Sequence, residues 1–203
     1  MLTTSSALAL AITVMLTAGV ARDAAAAAAA ETGAPTEQLR SRVERVVAIL
    51  EDAQLKTKPA TRRAALRTAA SDIFDFTEIT RRSLGRHWQT LNPAEREDLV
   101  AVMTALLERS YLSRIEAYSG ERIVFAGETA EADLATVRTK LVGKGGVETP
   151  VDYRLYKVGD RWLVYDVTVE GVSLVANYRA QFNKILQTSS AQGLVERLRA
   201  KQE

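Results

Sequence analysis

The chain of 203 residues contains no cysteine, a single histidine and few aromatic residues. Without cysteine it can form no disulfide, no thiolate metal site, no cysteine nucleophile and no lipid-modified cysteine after a leader. His87 stands alone, whereas a metal site normally needs three or four ligands, so we interpret it as a capping or surface residue. No serine lies in the GxSxG setting of a hydrolase nucleophile. The sequence therefore predicts no catalytic residue, no metal ligand and no cofactor.

The chain also lacks an excess of charge of either sign. Lysine and arginine together number 27, aspartate and glutamate 25, and the formal net charge is +2. A nucleic-acid-binding domain normally concentrates basic residues on one face and is clearly basic as a whole. We therefore expect no nucleic-acid partner.

An apolar run near the start of the chain has the features of an export signal. The run covers Ala7 to Ala21, and a tract of small residues, Ala24 to Ala30, follows it. This size and order are typical of a signal peptide, and the run is shorter than the ~20 apolar residues that a spanning helix needs. No lysine or arginine precedes it, which is unusual. We expect a signal peptide over residues 1–30 and one domain over 31–203; an uncleaved anchor is the alternative.

The first half of the remaining chain has the periodicity of helices. Apolar residues recur every three or four positions from Thr36 onward, which indicates amphipathic helices. Asn92 and Pro93 have the chemistry of an N-cap and a first helical residue. Four helices are predicted in this half. The first has Thr36 as its N-cap and ends at a break at Lys58, and the second covers Ala60 to Phe74. The third continues from there to Leu84, before Gly85, and the fourth runs from Pro93 to about Tyr118.

After Gly120 the apolar residues alternate with a period of two, which is typical of strands. The four predicted strands are Arg122–Ala126, Leu134–Val142, Val147–Lys157 and Trp162–Thr168. Short turn sequences join neighbouring strands, so we expect antiparallel pairing. Two further helices are predicted, one from Gly171 and one from Leu194 to about Ala200. Helices, then sheet, then helices indicate an α+β fold with the helices packed on one face of the sheet.

The segment Trp162 to Val169 is apolar on both of its predicted faces. Strict alternation places Leu163, Tyr165, Val167 and Val169 on one face and Trp162 and Val164 on the other. Asp166 lies among these residues, and a buried carboxylate requires a partner, for which Arg179 is the candidate. Alternatively, an arginine in this region contacts an anionic head group at the mouth of a pocket. Periodicity alone does not distinguish a cavity from an ordinary core.

Several motifs occur in a specific order between about Val43 and the C-terminus. They are Phe74-Asp75-Phe76, Asn92-Pro93-Ala94-Glu95, Val151-Asp152-Tyr153-Arg154-Leu155, Trp162-Leu163-Val164-Tyr165-Asp166-Val167, Glu170-Gly171-Val172-Ser173-Leu174-Val175 and Tyr178-Arg179-Ala180-Gln181-Phe182. In this order and spacing the chain resembles the MlaC family of periplasmic phospholipid-binding proteins, the toluene-tolerance auxiliary component of an ABC-type lipid transport system.

The resemblance implies an α+β domain in which a curved, four-stranded antiparallel sheet and its helices enclose an apolar lipid pocket. It also implies a monomeric periplasmic carrier that shuttles phospholipid and maintains outer-membrane lipid asymmetry. The implied partners are phospholipid, an inner-membrane MCE protein with its ABC transporter, and an outer-membrane lipoprotein and porin complex. The bound phospholipid is cargo, and no catalytic residue belongs to this description.

Alternation along the strands and the stripe of the long helix select the residues expected to line this pocket. They are Met103, Leu107, Tyr111, Val137, Leu141, Tyr153, Leu155, Val167, Val169, Val172 and Val175. Each of them is also compatible with an ordinary core. The corresponding alternative functions are a periplasmic adaptor with a solid core or, less in keeping with the single histidine, an enzyme on an α+β scaffold.

Overall fold

The computed structural model describes residues 34–143 and 145–200, so the predicted signal peptide lies outside the described residues. Seven α-helices and one 3-10 helix are present in this part of the chain. The helices are α1 Pro35–Glu51, α2 Ala53–Lys56, α3 Pro59–Ile73, α4 Phe76–Leu84, the 3-10 helix Gly85–Thr90, α5 Pro93–Glu116, α6 Leu174–Leu186 and α7 Ala191–Ala200.

Five antiparallel strands form one sheet in the order β1-β2-β3-β4-β5. The strands are β1 Arg122–Glu131, β2 Leu134–Val142, β3 Glu148–Val158, β4 Arg161–Val169 and β5 Val172–Ser173. The α+β class is confirmed, but the prediction of four strands and of a helix beginning at Gly171 is wrong. Glu170 and Gly171 have φ values of 49° and 83°, and this tight turn lets the chain pair briefly with β4 before α6 begins.

The helix boundaries follow from local capping chemistry. Asn92 accepts a hydrogen bond from the Glu95 amide, and the Glu95 carboxylate accepts one from the Asn92 amide, which is the predicted start of α5 with a complete capping box. Thr36 is not an N-cap, because Pro35 already occupies the first turn of α1 and Ala34 is the capping residue. The 3-10 helix was not predicted. It begins at Gly85, where φ is +56° and α4 ends.

A β-bulge in β4 changes which of its residues share a face. Leu155 pairs with Val164 and Tyr153 pairs with Val167, so β4 has one residue more than β3 over this interval. The extra residue reverses the alternation, and Val164 and Val167 lie on the same face. The prediction that they lie on opposite faces is therefore wrong. A second bulge, between Phe125 and Gly127, interrupts β1 in the same way.

The buried apolar side chains form two separate clusters among the described residues. The helical cluster comprises Ile79, Leu84, Leu91, Leu99, Val102, Met103, Leu106, Leu107, Val175, Phe182, Leu194, Val195 and Leu198. The sheet cluster comprises Leu39, Ile73, Ala135, Val137, Leu155, Trp162 and Val164. Phe74, which is half-buried, packs against both clusters.

The chain passes around the β4 edge of the sheet at Phe74. Phe74 forms an isolated parallel bridge with Val164, and the Asp75 amide donates to the Val164 carbonyl at 3.0 Å. On the far side of this edge, the Tyr156 hydroxyl donates to the Asp75 carboxylate, and Tyr156 belongs to the face opposite Leu155. Helices therefore contact both faces of the sheet near β4, which corrects the expectation that they pack on one face only.

Candidate functional site

The register of the strands defines one apolar face of the sheet, which we call the inner face. Its apolar residues, together with Thr139, are Ile123 and Phe125 of β1, Ala135, Val137 and Leu141 of β2, Val151, Tyr153 and Leu155 of β3, Trp162, Val164, Val167 and Val169 of β4, and Val172 of β5. The same register also places Glu128, Ala130, Thr149 and Lys157 on this face. Side chains of directly paired residues point to the same side of a sheet, so these residues form a continuous surface.

Helix α1 covers one part of the inner face and is held there by buried polar side chains. Gln38 donates to the Asp160 carbonyl at 2.7 Å and accepts from the Trp162 amide at 2.9 Å. Arg42 donates to the Trp162 carbonyl at 2.5 Å. Buried polar groups are costly unless they are hydrogen-bonded, and here they fix the position of α1 over the β3–β4 hairpin. Beneath α1, Val137, Leu155 and Val164 are fully buried.

The rest of the inner face is less completely covered. Phe125, Leu141, Val151, Tyr153 and Val167 are half-buried, and Val169 is 43% exposed. Apolar side chains of this size are normally buried in an interior, so a contiguous set of them that is only half covered marks a surface that can accept an apolar ligand. The arrangement can bind an apolar molecule.

Tyr153 lies at the centre of this surface, between Val137 and Val167 of the neighbouring strands. Burial raises the pKa of its phenol to about 12, and no hydrogen bond or charge contributes to that shift. Nevertheless its side chain is only half-buried. The side chain is thus partly, not completely, covered by the rest of the domain.

The predicted lining residues fall into three groups. Met103, Leu107 and Val175 are buried in the helical cluster, and Val137 and Leu155 are buried in the sheet cluster. Tyr153, Leu141 and Val167 are half-buried on the inner face. Tyr111, Val169 and Val172 are exposed, by 40%, 43% and 62% respectively.

Sequence reasoning did not select four other residues next to the half-covered surface. Phe125 and Val151 belong to the inner face, and Val43 and Val46 of α1 pack against the sheet cluster. The apolar stripe of α1 was a sufficient signal for the two valines. Phe125 could not be assigned to a face from alternation alone, because the bulge after it breaks the β1 pattern.

The opposite face of β4 carries a charge pair that differs from the prediction. Asp166 is paired with Arg154, at 3.7 Å, and also accepts hydrogen bonds from the Ser173 hydroxyl and the Val175 amide. The bulge directs Asp166 toward the beginning of α6, where unpaired backbone donors favour a carboxylate. Arg179 is not its partner: its Nε donates to the Arg82 carbonyl at 2.8 Å. Asp166 therefore has a structural role at the edge of the sheet.

The described residues show neither a metal-ligand cluster nor a membrane-spanning helix. Over residues 34–143 and 145–200 there is no group of three or more histidine, cysteine, aspartate or glutamate side chains that could hold a metal ion. His87 is half-buried and its Nε2 lies 3.1 Å from the Asn183 Oδ1. Within the same residues, no helix has the length and apolarity to cross a bilayer.

The described residues form an α+β domain with a half-covered apolar face on its sheet. The chain belongs to the MlaC family: the family model described as MlaC protein matches residues 40–200. It is also similar to a solved structure, the phospholipid-binding protein from Ralstonia solanacearum in complex with a phospholipid. That similarity has 23% sequence identity and a TM-score of 0.73, and it covers 80% of this chain and 93% of that chain.

Proposed function

We propose that this protein is a phospholipid carrier that holds the acyl chains of its cargo against the inner face. The observation that carries the proposal is the incomplete cover of that face, where Leu141, Tyr153 and Val167 are half-buried and Val169 is 43% exposed. Contiguous apolar side chains that the domain itself leaves partly uncovered offer a surface to hydrocarbon. Tyr153 lies between Val137 and Val167 on this surface, so its centre is apolar.

The geometry of the sheet supports the same proposal. Four long strands spaced ~4.8 Å apart form a surface wider than one helix, whose diameter is about 10 Å with its side chains. Helix α1 therefore covers only part of the inner face, and the remainder is available for another apolar partner. Val169 and Val172, which pair with each other at the β4–β5 end, extend that surface to the exterior.

Energetics explain why a carrier needs a large apolar surface. A diacyl phospholipid has on the order of thirty methylenes, and at ~0.8 kcal/mol each their exposure to water costs roughly 24 kcal/mol. A carrier must cover most of both chains, because one chain left in water would keep the lipid in its membrane. We therefore propose that the predicted lining residues of the inner face border the chains: Val137, Leu141, Tyr153, Leu155, Val167, Val169 and Val172. The other four, Met103, Leu107, Tyr111 and Val175, would contribute by stabilising the helical part of the domain.

Family membership supports the wider role. We propose that the protein is exported to the periplasm and shuttles phospholipid between the outer-membrane lipoprotein and porin complex and the inner-membrane MCE protein with its ABC transporter. The family match supports this assignment, and so does the phospholipid in the similar Ralstonia structure. A cargo carrier needs no catalytic residue, and we propose none.

A matched pair of substitutions tests the cargo site. Val169 and Val124 are 43% and 41% exposed, but they lie on opposite faces of the sheet because Val124 pairs with Lys140 and Val169 with Val151. We expect Val169→Trp to reduce the phospholipid that co-purifies with the protein, whereas Val124→Trp leaves it unchanged. Lipid is measured by extraction of the native protein and mass spectrometry.

The same measurement separates the carrier from its alternative. If repeated native preparations contain no phospholipid, the protein is an adaptor with a solid core. If Val169→Trp retains a full complement of lipid, the inner face is not the cargo site. Thermal unfolding of both variants serves as the control, since both sites are exposed and neither substitution should unfold the domain.

A further inference from the structure

A groove on the opposite side of the helical cluster has a composition unlike that of the inner face. It has a volume of about 530 Å³ and lies between the end of α4 with the 3-10 helix on one side and α6 on the other. We call it the α4–α6 groove. Its lining residues are Leu84, Gly85, Arg86, His87, Ala176, Arg179, Ala180 and Asn183.

Two arginines give this groove its charge. Arg86 and Arg179 both line it and both are exposed, and no carboxylate lines it with them. Within the described residues neither arginine forms an ion pair, unlike Arg81 and Arg82 beside them, which both bind Glu78. The groove therefore has two cations that the protein itself does not neutralise.

The position of Arg179 is determined by the backbone of α4. Its Nε donates to the Arg82 carbonyl, and its Cδ lies 3.7 Å from the point where a Cβ of residue 85 would be. Gly85 has φ of +56°, a conformation that favours glycine, and Arg179 packs directly beside it. The guanidinium is thus held at the groove, and its terminal nitrogens stay available as donors to a carboxylate.

The remaining lining residues suit an extended chain. Ala176 and Ala180 lie one turn apart on α6, and their small side chains make the α6 side of the groove apolar without protruding into it. Asn183 lies one turn further along. None of the large exposed apolar side chains of the described residues lines the groove. A surface that inserts into a bilayer normally presents such side chains together with its cations. The groove therefore fits a peptide better than a membrane.

We infer that the α4–α6 groove is a docking site for an acidic peptide segment of a partner protein. Carboxylates of the segment pair with Arg86 and Arg179, while small side chains pack on Ala176 and Ala180. The residues involved are separate from the inner face, so docking leaves the proposed cargo site free. The inference does not depend on the protein carrying lipid.

The test uses the full protein and a fluorescein-labelled peptide of alternating glutamate and alanine, with its glutamine counterpart as a neutral probe. Fluorescence polarisation measures the affinity. We expect the double variant Arg86→Glu with Arg179→Glu to bind the acidic peptide about tenfold more weakly. The control, Lys56→Glu with Lys58→Glu, has the same change in charge at exposed residues outside the groove. It should bind almost as well as the unmodified protein.

A third variant separates the shape of the groove from its charge. Ala180→Trp fills the groove from an exposed position of α6 without changing charge, and it should also weaken binding. It also keeps the test decisive if Arg179→Glu disturbs the end of α4. Three results would overturn the inference: equal loss in the two double variants, unchanged binding by Ala180→Trp, or binding to vesicles of equal phosphatidylglycerol and phosphatidylcholine but not to the peptide.

Discussion

The helical cluster contains thirteen buried apolar residues from α4, α5, α6, α7 and the segment before α5, whereas the sheet cluster contains seven. In the first, residues such as Met103, Leu194 and Phe182 have almost no exposed surface. In the second, full burial is limited to the area near α1, and neighbouring residues such as Tyr153 and Val167 are half-buried. Similar side chains therefore form a closed core in one region and an incompletely covered surface in the other.

The difference comes from the elements that meet. Helices of similar width can cover one another's apolar stripes, because ridges of side chains on one fit grooves on the next. A sheet of four long strands is wider than helix α1, although α3 also contributes Ile73 to the sheet cluster. The helical cluster thus stabilises the domain, and the free part of the inner face is left for the proposed cargo. Four measurements would test this division.

The largest expected effect is the loss of stability when a buried residue of the helical cluster is truncated. Phe182 is 2% exposed in the helical cluster, and Phe182→Ala should lower the free energy of unfolding by about 3–5 kcal/mol. Phe125 on the inner face is half-buried, so Phe125→Ala should lower it by clearly less. Urea denaturation of both lipid-free variants measures the difference. Equal losses would contradict the view that only one of the two regions is a closed core.

The next effect concerns the attachment of α1 to the inner face. Gln38→Ala removes the acceptor of the Trp162 amide and the donor to the Asp160 carbonyl. A buried backbone group left without a partner costs about 1–3 kcal/mol, so unfolding by urea should become easier by that amount. Thr57→Ala is a suitable control, because its hydroxyl bonds the Gln54 carbonyl at an exposed site. A loss of similar size there would mean that burial is not the cause.

Alkaline pH should distinguish Tyr153 from Tyr156, another half-buried tyrosine. The pKa of Tyr153 is about 12 in the folded protein and about 10 in an unfolded chain. Between these values only the unfolded chain loses its proton, so stability should decrease as pH rises from about 10 to about 12. Tyr153→Phe should reduce this decrease and leave stability at neutral pH almost unchanged.

Tyr156→Phe provides the contrast for that measurement. The pKa of Tyr156 is raised by burial and by its hydrogen bond to Asp75. Losing that bond should destabilise the protein at neutral pH as well. Thermal unfolding followed across the alkaline range detects both effects. If Tyr153→Phe leaves the alkaline decrease unchanged, Tyr153 is more open to solvent than we infer.

The smallest expected effect concerns the ion pairs between α3 and α5. Arg67 pairs with Glu108 at 2.8 Å and Arg63 pairs with Glu116 at 2.9 Å, and both arginines are largely exposed. Exposed pairs contribute about 0–1 kcal/mol, so Arg67→Gln should change the unfolding free energy by less than that, and less again in high salt. A larger loss would mean that these pairs hold the two regions together.

The sequence was informative wherever local chemistry decides the structure. Asn92 as the N-cap of α5 is confirmed, and so is the buried stripe of α5 as far as Leu107, whereas Tyr111 further along is exposed. The ends of β2, β3 and β4 were predicted to within one residue, because alternation and turn residues are local signals, but β1 continues five residues past its predicted end. Two of the failures, those at Asp166 and Val164, arise at the β4 bulge. A bulge depends on how two strands pair, so the sequence of one strand does not show it.

By itself, therefore, the sequence determined the α+β class, the order of the main helices and strands, the resemblance to the MlaC family and the exclusion of cysteine chemistry. Each of these follows from residue types and short-range spacing. Only the tertiary structure decided which face of β4 joins Tyr153 and Val137, that Asp166 binds Arg154 instead of Arg179, and that two apolar clusters form in place of one. These depend on strand register and on how widely a helix can cover a sheet, which are properties of elements that are distant in the sequence.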